Sequence, residues 1–122
     1  MPRERAYSEW RPKRNLPPQL SALEARDIMF ECCYTLHGPH FELTKSSLGI
    51  RSDEQRVKQS VKGMLRLAFK RVDGDYDRPT RDHLLKVIEV MSEQSLSWGT
   101  PEDVVDRHMN ELRRVMARVV EA

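Results

Sequence analysis

The fold is decided by residues 84–120, which read LLKVIEVMSEQSLSWGTPEDVVDRHMNELRRVMARVV. In their middle, Gly99 provides a helix stop, Thr100 a helix cap and Pro101 a favourable first helical residue. On both sides of this join, apolar residues recur every three or four positions, as they do on one face of a helix. The stretch therefore predicts two amphipathic helices, over residues 80–98 and 101–120.

Two more helices are predicted upstream of this pair. Ser21 and Glu24 have the spacing of a capping box, and Gly38 followed by Pro39 is typical of a helix end, so the first helix is expected over residues 22–37. Its apolar residues occupy more than one side, which predicts a central position or a subunit contact.

The second long helix is predicted over residues 55–72, after a second capping box at Ser52 and Gln55. Between the first and second helices, residues 41–47 have the pattern of one short helix, and a turn is expected at residues 48–50. The sequence therefore predicts an all-α fold: a small four-helix bundle with an extra short helix between helices one and two.

The first twenty residues differ from the rest of the chain. They contain five arginine or lysine residues against two glutamates, a net charge of +3, and four prolines that disfavour a long helix. We predict an irregular basic arm over residues 1–20, pinned to the bundle by Trp10 and Leu16, and a helical domain over residues 21–122.

The composition argues against a membrane protein. No uninterrupted apolar run exceeds three residues, and the first five residues are charged where a signal peptide needs an apolar segment. Cys32 and Cys33 are adjacent in a helical pattern, so their side chains diverge and cannot form a disulfide with each other. These features predict a cytoplasmic protein.

Few residues suggest chemistry. Cys33 and His37 lie four positions apart and, with Cys32 and His40, could bind a zinc ion, but burial as an apolar thiol is the simpler expectation. His108 falls within an apolar arc, where a hydrogen bond in the core is expected. Phosphate loops, nucleophile elbows and zinc-protease motifs do not occur in the sequence. We predict no enzymatic activity, no cofactor and no metal, with a metal-binding bundle as a minor alternative.

The helix over residues 55–72 is the main functional candidate, because it carries six basic residues and no acidic one. Periodicity places its cations on the side opposite its apolar arc, where they can bind an acidic protein surface or phosphates. Acidic residues of helices three and four could instead neutralise them. The predicted partner-binding residues are Arg56, Lys58, Lys62, Arg66 and Lys70 of this helix and Trp10, Arg11, Lys13 and Arg14 of the arm.

The segment Leu48-Gly49-Ile50, between a short helical stretch and the basic helix, resembles the turn of a helix-turn-helix. The resemblance covers few residues and departs from the pattern at Lys45, which replaces a small residue, and at Val57, which comes about two positions late. It implies an alternative function in nucleic-acid binding through the basic helix and the arm.

Taken together, these patterns predict a non-enzymatic interaction or regulatory protein that acts through protein-protein contacts. The wide apolar faces of the first and last helices predict a homodimer, since two-fold assemblies are the commonest. An acidic protein surface is the expected partner, nucleic acid is the alternative, and no membrane is involved.

Overall fold

The computed structural model describes residues 10, 16–47 and 54–120. Within these ranges it contains four helices: α1 (Ala22–Ser47), α2 (Glu54–Arg71), α3 (Arg81–Ser97) and α4 (Glu102–Met116). Each helix packs against the next, and α1 contacts all three others, so it is the central helix. The predicted all-α bundle is confirmed. In the described part of the chain, no helix is both long enough and apolar enough to cross a membrane.

The core is formed by the apolar arcs of all four helices. From α1 it includes Met29, Cys32 and Cys33, and from α3 it includes Leu84, Ile88 and Met91. The wide apolar arc of α4 is buried inside this single chain, through Val104, Val105, Met109, Leu112, Val115 and Met116. The arc of α4 therefore exposes little apolar surface for a second subunit.

The predicted end of the first helix at Gly38 and Pro39 is wrong, because α1 continues to Ser47 and includes the predicted short helix over residues 41–47. A proline inside a helix costs about 3 kcal/mol, a local penalty that tertiary packing can outweigh, and α1 contacts all three other helices. Gly38 is buried, and a Cβ atom there would lie 3.7 Å from Val57 Cγ1. The predicted turn at residues 48–50 and the capping box at Ser52 lie outside the described residues.

Helix caps that depend on local sequence are confirmed at two helices. At the start of α1, the Ser21 amide donates to Glu24 Oε1 at 3.3 Å, and the Glu24 amide donates to Ser21 Oγ at 3.1 Å. At the end of α3, Gly99 adopts a φ of 86°, a conformation that favours glycine. These hydrogen bonds and this conformation satisfy backbone groups that a helix terminus leaves unpaired.

Helix α4 starts one residue later than predicted, and its cap is Pro101 instead of Thr100. The Thr100 amide donates to Ser95 O at 3.0 Å, so this residue completes the end of α3. The Pro101 carbonyl accepts the first hydrogen bonds of α4, from the amides of Val104 and Val105. Thr100 thus completes the end of α3, and Pro101 begins α4. The predicted start of α4 is correct to within one residue.

Helix α4 also ends at Met116, before the predicted residue 120. The chain leaves the helix to pair with Leu20, which forms an isolated parallel bridge with Val119. The Leu20 amide donates to Arg118 O at 2.8 Å, and the Val120 amide donates to Leu20 O at 2.9 Å. Pairing with the end of the predicted arm replaces the last helical turn.

Three described residues of the predicted arm, Trp10, Leu16 and Leu20, pack on the bundle. Trp10 is 7% exposed and belongs to the core, and Leu16 packs against it, as predicted. Arg118 Nη1 donates to Leu16 O at 2.9 Å, which holds this segment against the end of the chain. The positions of Arg11, Lys13 and Arg14 lie outside the described residues.

Candidate functional site

The candidate site is the solvent-facing side of α2. Val57, Val61 and Leu65 are buried on the inner side of this helix. Three exposed cations, Lys62, Arg66 and Lys70, follow one another at four-residue intervals on the opposite side. We call these three residues the basic crest; their outward position agrees with the periodicity of the sequence.

Two cations of α2 have acidic partners close by in the chain. Lys58 Nζ lies 3.1 Å from Glu54 Oε1 on the same helix, and Arg66 Nη2 lies 3.3 Å from Asp77 Oδ1 in the loop that follows. Both pairs are exposed to solvent, where an ion pair contributes little stability. Lys62, Lys70 and Arg71 form no ion pair within the described ranges, so no carboxylate there lies in direct contact with their charges.

Acidic residues of α3 and α4 form ion pairs with cations of their own two helices. Asp82 pairs with Lys86, and Glu111 pairs with Arg114. Glu89 Oε1 accepts from Arg113 Nη2 at 2.6 Å and joins α3 to α4. The described ion pairs of α2 are therefore made by Glu54 and Asp77, and not by the helices that the sequence suggested.

The Tyr76 ring holds the loop after α2 in place. Arg26 Cζ lies 4.5 Å from the centre of this ring and Arg66 Cζ lies 4.6 Å from it. Phe69 meets the same ring edge to face at 5.7 Å, and Arg26 Nη1 donates to Tyr76 O at 2.8 Å. Burial raises the pKa of Tyr76, although the two guanidinium groups oppose this. The stacking keeps Arg66 against the loop.

Sequence reasoning missed Tyr76. The available signal was a large aromatic residue between two aspartates, in a loop where polar residues prevail.

A cavity of about 490 Å³ lies between α1 and α2. Aromatic side chains line it, among them Phe30 and Tyr34. Its charged lining is balanced, with three cations and three acids: Arg26, Lys58, Lys62, Asp27, Glu31 and Glu54. A cavity with equal numbers of both signs has no clear preference for an anionic ligand.

A larger groove, of about 780 Å³, separates α2 from α3. Met64, Leu67 and Val90 contribute apolar surface, and Lys70 and Arg71 contribute positive charge. Leu67 is 64% exposed, the largest value among the exposed large apolar residues of the described chain. We call this feature the α2–α3 groove. Sequence reasoning missed it, although Leu67 is an apolar residue on the charged side of a helix.

The two cysteines are buried and free, and burial raises the pKa of Cys33 to about 12. Burial also raises the pKa of Cys32, with a further contribution from the neighbouring Cys33. Both thiols are therefore protonated near neutral pH and are poor nucleophiles and poor metal ligands. In the described part of the chain, no three histidine, cysteine or acidic side chains are placed to share a metal ion.

The two histidines of the core have hydrogen-bond partners. His37 Nε2 lies 3.0 Å from Ser95 Oγ, and the ring meets Trp98 edge to face at 5.3 Å. His108 Nδ1 lies 2.7 Å from Val104 O, and His108 Nε2 accepts from the Trp10 amide at 3.3 Å. The expected core hydrogen bond of His108 is thus confirmed, and each of its nitrogens has a partner in the backbone.

The structure brings together only part of the predicted partner-binding set. Arg56, Lys58, Lys62, Arg66 and Lys70 share α2, whereas Trp10 is buried against His108. Trp10 therefore supports the fold and is not available at the surface.

Comparison of the chain with protein-family models, with curated proteins and with solved structures gave no match.

Proposed function

We propose that this chain is a non-enzymatic interaction or regulatory protein, and that the basic crest binds an acidic surface of a partner protein. One observation carries the proposal: in the described chain, Lys62 and Lys70 are exposed and form no ion pair, while Asp82, Glu89 and Glu111 are paired with cations of α3 and α4. Exposed charges of one sign that form no ion pair can attract a partner of the opposite sign.

The alternative partner, nucleic acid, has less support. The α2–α3 groove beside the crest is apolar, with Leu67 in the open. Apolar surface next to cations suits a protein partner, since nucleic-acid interfaces are more polar.

Reversal of charge on the crest tests the proposal. We expect the protein to bind polyglutamate in low salt, where exposed charges are least screened. Replacement by Lys62→Glu and Lys70→Glu should weaken this binding at least about tenfold, because two attractive charges become repulsive. Isothermal titration calorimetry provides the measurement.

A matched control carries Arg107→Glu and Arg114→Glu, two exposed positions on α4 with the same total charge change. An equal loss of affinity for polyglutamate in both double variants would mean that net charge alone drives binding, and would reject the basic crest as the binding surface. If duplex DNA binds more tightly than polyglutamate, and only the crest variant loses that binding, the nucleic-acid alternative replaces the proposal.

We also propose a homodimer in the cytoplasm. The apolar arc of α4 is buried in the core and does not provide a dimer surface. The support for a dimer contact on α1 is Leu23, which is 49% exposed. The two free, buried cysteines fit a reducing compartment. Size-exclusion chromatography with light scattering tests the dimer, and a monomeric mass at the concentrations of the binding assay rejects it.

A further inference from the structure

The α2–α3 groove has the features of a docking site for one helix. We infer that it binds an acidic amphipathic helix of a partner protein, with the apolar side of that helix against the groove. The inference rests on the proposed function, because the groove and the basic crest share Lys70 and would contact the same partner. It adds what the crest alone does not specify, the shape and apolar pattern of the partner.

The groove has the length of a short helix. On α2 its lining extends from Ser60 to Arg71, and on α3 it includes Val90 and Gln94. Eleven helical steps between residues 60 and 71 correspond to about 16 Å. An occupant of about three helical turns would therefore fill it.

The surface of the groove is apolar and open. Met91 and Ala68 are buried at its base, Met64 and Val90 are half-buried, and Leu67 is exposed. Gly63 has no side chain, and a Cβ atom there would meet nothing within 4 Å. A partner helix can approach this part of α2 closely, and the flexible methionines can adapt to its side chains.

Charge selects an acidic occupant over the α2 helix of a second copy of the chain. Lys70 and Arg71 border one end of the groove, whereas Ser60 and Gln94 are uncharged at the other. A second copy docked by its own α2 would bring two helices of the same sign together, which is unfavourable. An occupant with acidic residues toward the Arg71 end is attracted instead.

A designed peptide provides the probe. It is about 15 residues long, with leucine at every third or fourth position and glutamate or alanine elsewhere, so that it forms one apolar side as a helix. A scrambled peptide of the same composition keeps the charge and removes the apolar side. Fluorescence anisotropy with labelled peptides measures both affinities.

We expect the amphipathic peptide to bind about tenfold more tightly than the scrambled one, and Leu67→Ala to abolish this difference. Val120→Ala is the matched control, since Val120 is 51% exposed and is not among the lining residues. Leu67 is mostly exposed, so its replacement should leave the fold intact, as circular dichroism can verify.

Four other outcomes would contradict one or both of the proposals. If both peptides bind equally, and this binding is insensitive to Leu67→Ala but weakened by Lys62→Glu, the inference of a docking groove is overturned and the proposed binding at the basic crest is supported. Binding that depends on Leu67 but is unaffected by Lys62→Glu with Lys70→Glu overturns both the basic crest as a binding surface and the selection of an acidic occupant, and leaves the groove as an apolar site only. No binding of either peptide in low salt overturns both. A drop in the light-scattering mass on Leu67→Ala shows that a second copy occupies the groove, and rejects the acidic helix.

Discussion

At the scale of single residues, His108 connects two distant parts of the chain. The Trp10 amide can only donate, so His108 Nε2 accepts from it, and the proton of this neutral ring lies on Nδ1 and is donated to Val104 O. The two bonded residues, Trp10 and His108, are 98 positions apart. The buried histidine in the apolar arc of α4 is therefore a structural link between these two parts of the chain.

Replacement of this link should be costly. His108→Leu introduces an apolar side chain of similar size and leaves the buried Trp10 amide without its acceptor, so we expect a loss of about 1–3 kcal/mol in the free energy of unfolding. Urea denaturation measures it. Arg107→Leu, at the exposed neighbouring position, should change stability by less than about 0.5 kcal/mol. Similar losses in the two variants would contradict the role of His108.

At the scale of helices, the end of α2 depends on two residues. Asp73 adopts a φ of 58°, and the Gly74 amide donates to Phe69 O at 2.8 Å, which closes the last turn. A Cβ atom at Gly74 would lie 3.0 Å from His83 Cγ and 3.2 Å from Phe69 Cδ1. The predicted end of this helix, at residue 72, is correct to within one residue, and the residue that adopts the left-handed conformation is Asp73.

Two glycine substitutions should have opposite effects. Gly74→Ala forces its neighbours apart and should destabilise the protein by about 1–3 kcal/mol. Gly63→Ala, in the open middle of α2, should stabilise it by about 0.5–1 kcal/mol, because alanine favours the helix. Thermal unfolding followed by circular dichroism compares them. Destabilisation by Gly63→Ala would show that this helix position is more crowded than the structure indicates.

Sequence predicted the helices better than their limits. The Ser21 and Glu24 capping box and the Gly99 stop depend on local backbone geometry, so they could be predicted. Gly38 and Pro39 favour a helix end, but α1 continues past them to Ser47, so the local pattern does not decide where this helix ends. The position of Trp10 in the arm depends on a distant residue, because its amide donates to His108, 98 positions along the chain.

The candidate site was predicted in part for the same reason. Periodicity placed Lys62 and Lys70 on the outer side of α2, and this is where they lie. It gives no information on which helices are neighbours, so the pairing of Arg66 with Asp77 and the groove beside Leu67 could not be predicted. An element's outer side follows from its own sequence, whereas its surroundings follow from the whole fold.

At the scale of the whole molecule, buried thiols make stability depend on pH. The pKa of Cys33 rises from 9.0 to about 12 on folding because burial disfavours the thiolate. Below pH 9.0 the thiol is protonated in both states, and its contribution to stability is fully present. Above this value the unfolded chain loses the proton first, so the contribution is lost as the pH rises toward 12.

We therefore expect the free energy of unfolding to fall in alkaline solution, by roughly 1–2 kcal/mol from Cys33 between about pH 9 and pH 10.5, with a further decrease from Cys32. Urea denaturation under reducing conditions at several pH values measures the slope. The variant with Cys32→Ala and Cys33→Ala should show a shallower slope, and keep the part due to Tyr76, whose pKa is also raised by burial. An unchanged slope in the variant would contradict the assignment to the thiols.

The pairing of Leu20 with Val119 has a consequence for the order of folding. Contacts between residues so far apart along the chain close a very long loop, and the entropy cost of closure increases with loop length. Helices that follow one another meet through shorter loops and are expected to assemble earlier. The Leu20 pairing should then form after the transition state, so that weakening it speeds unfolding and leaves the folding rate almost unchanged. Contacts that close last also open first, and the start of the bundle is where the native protein should begin to unfold.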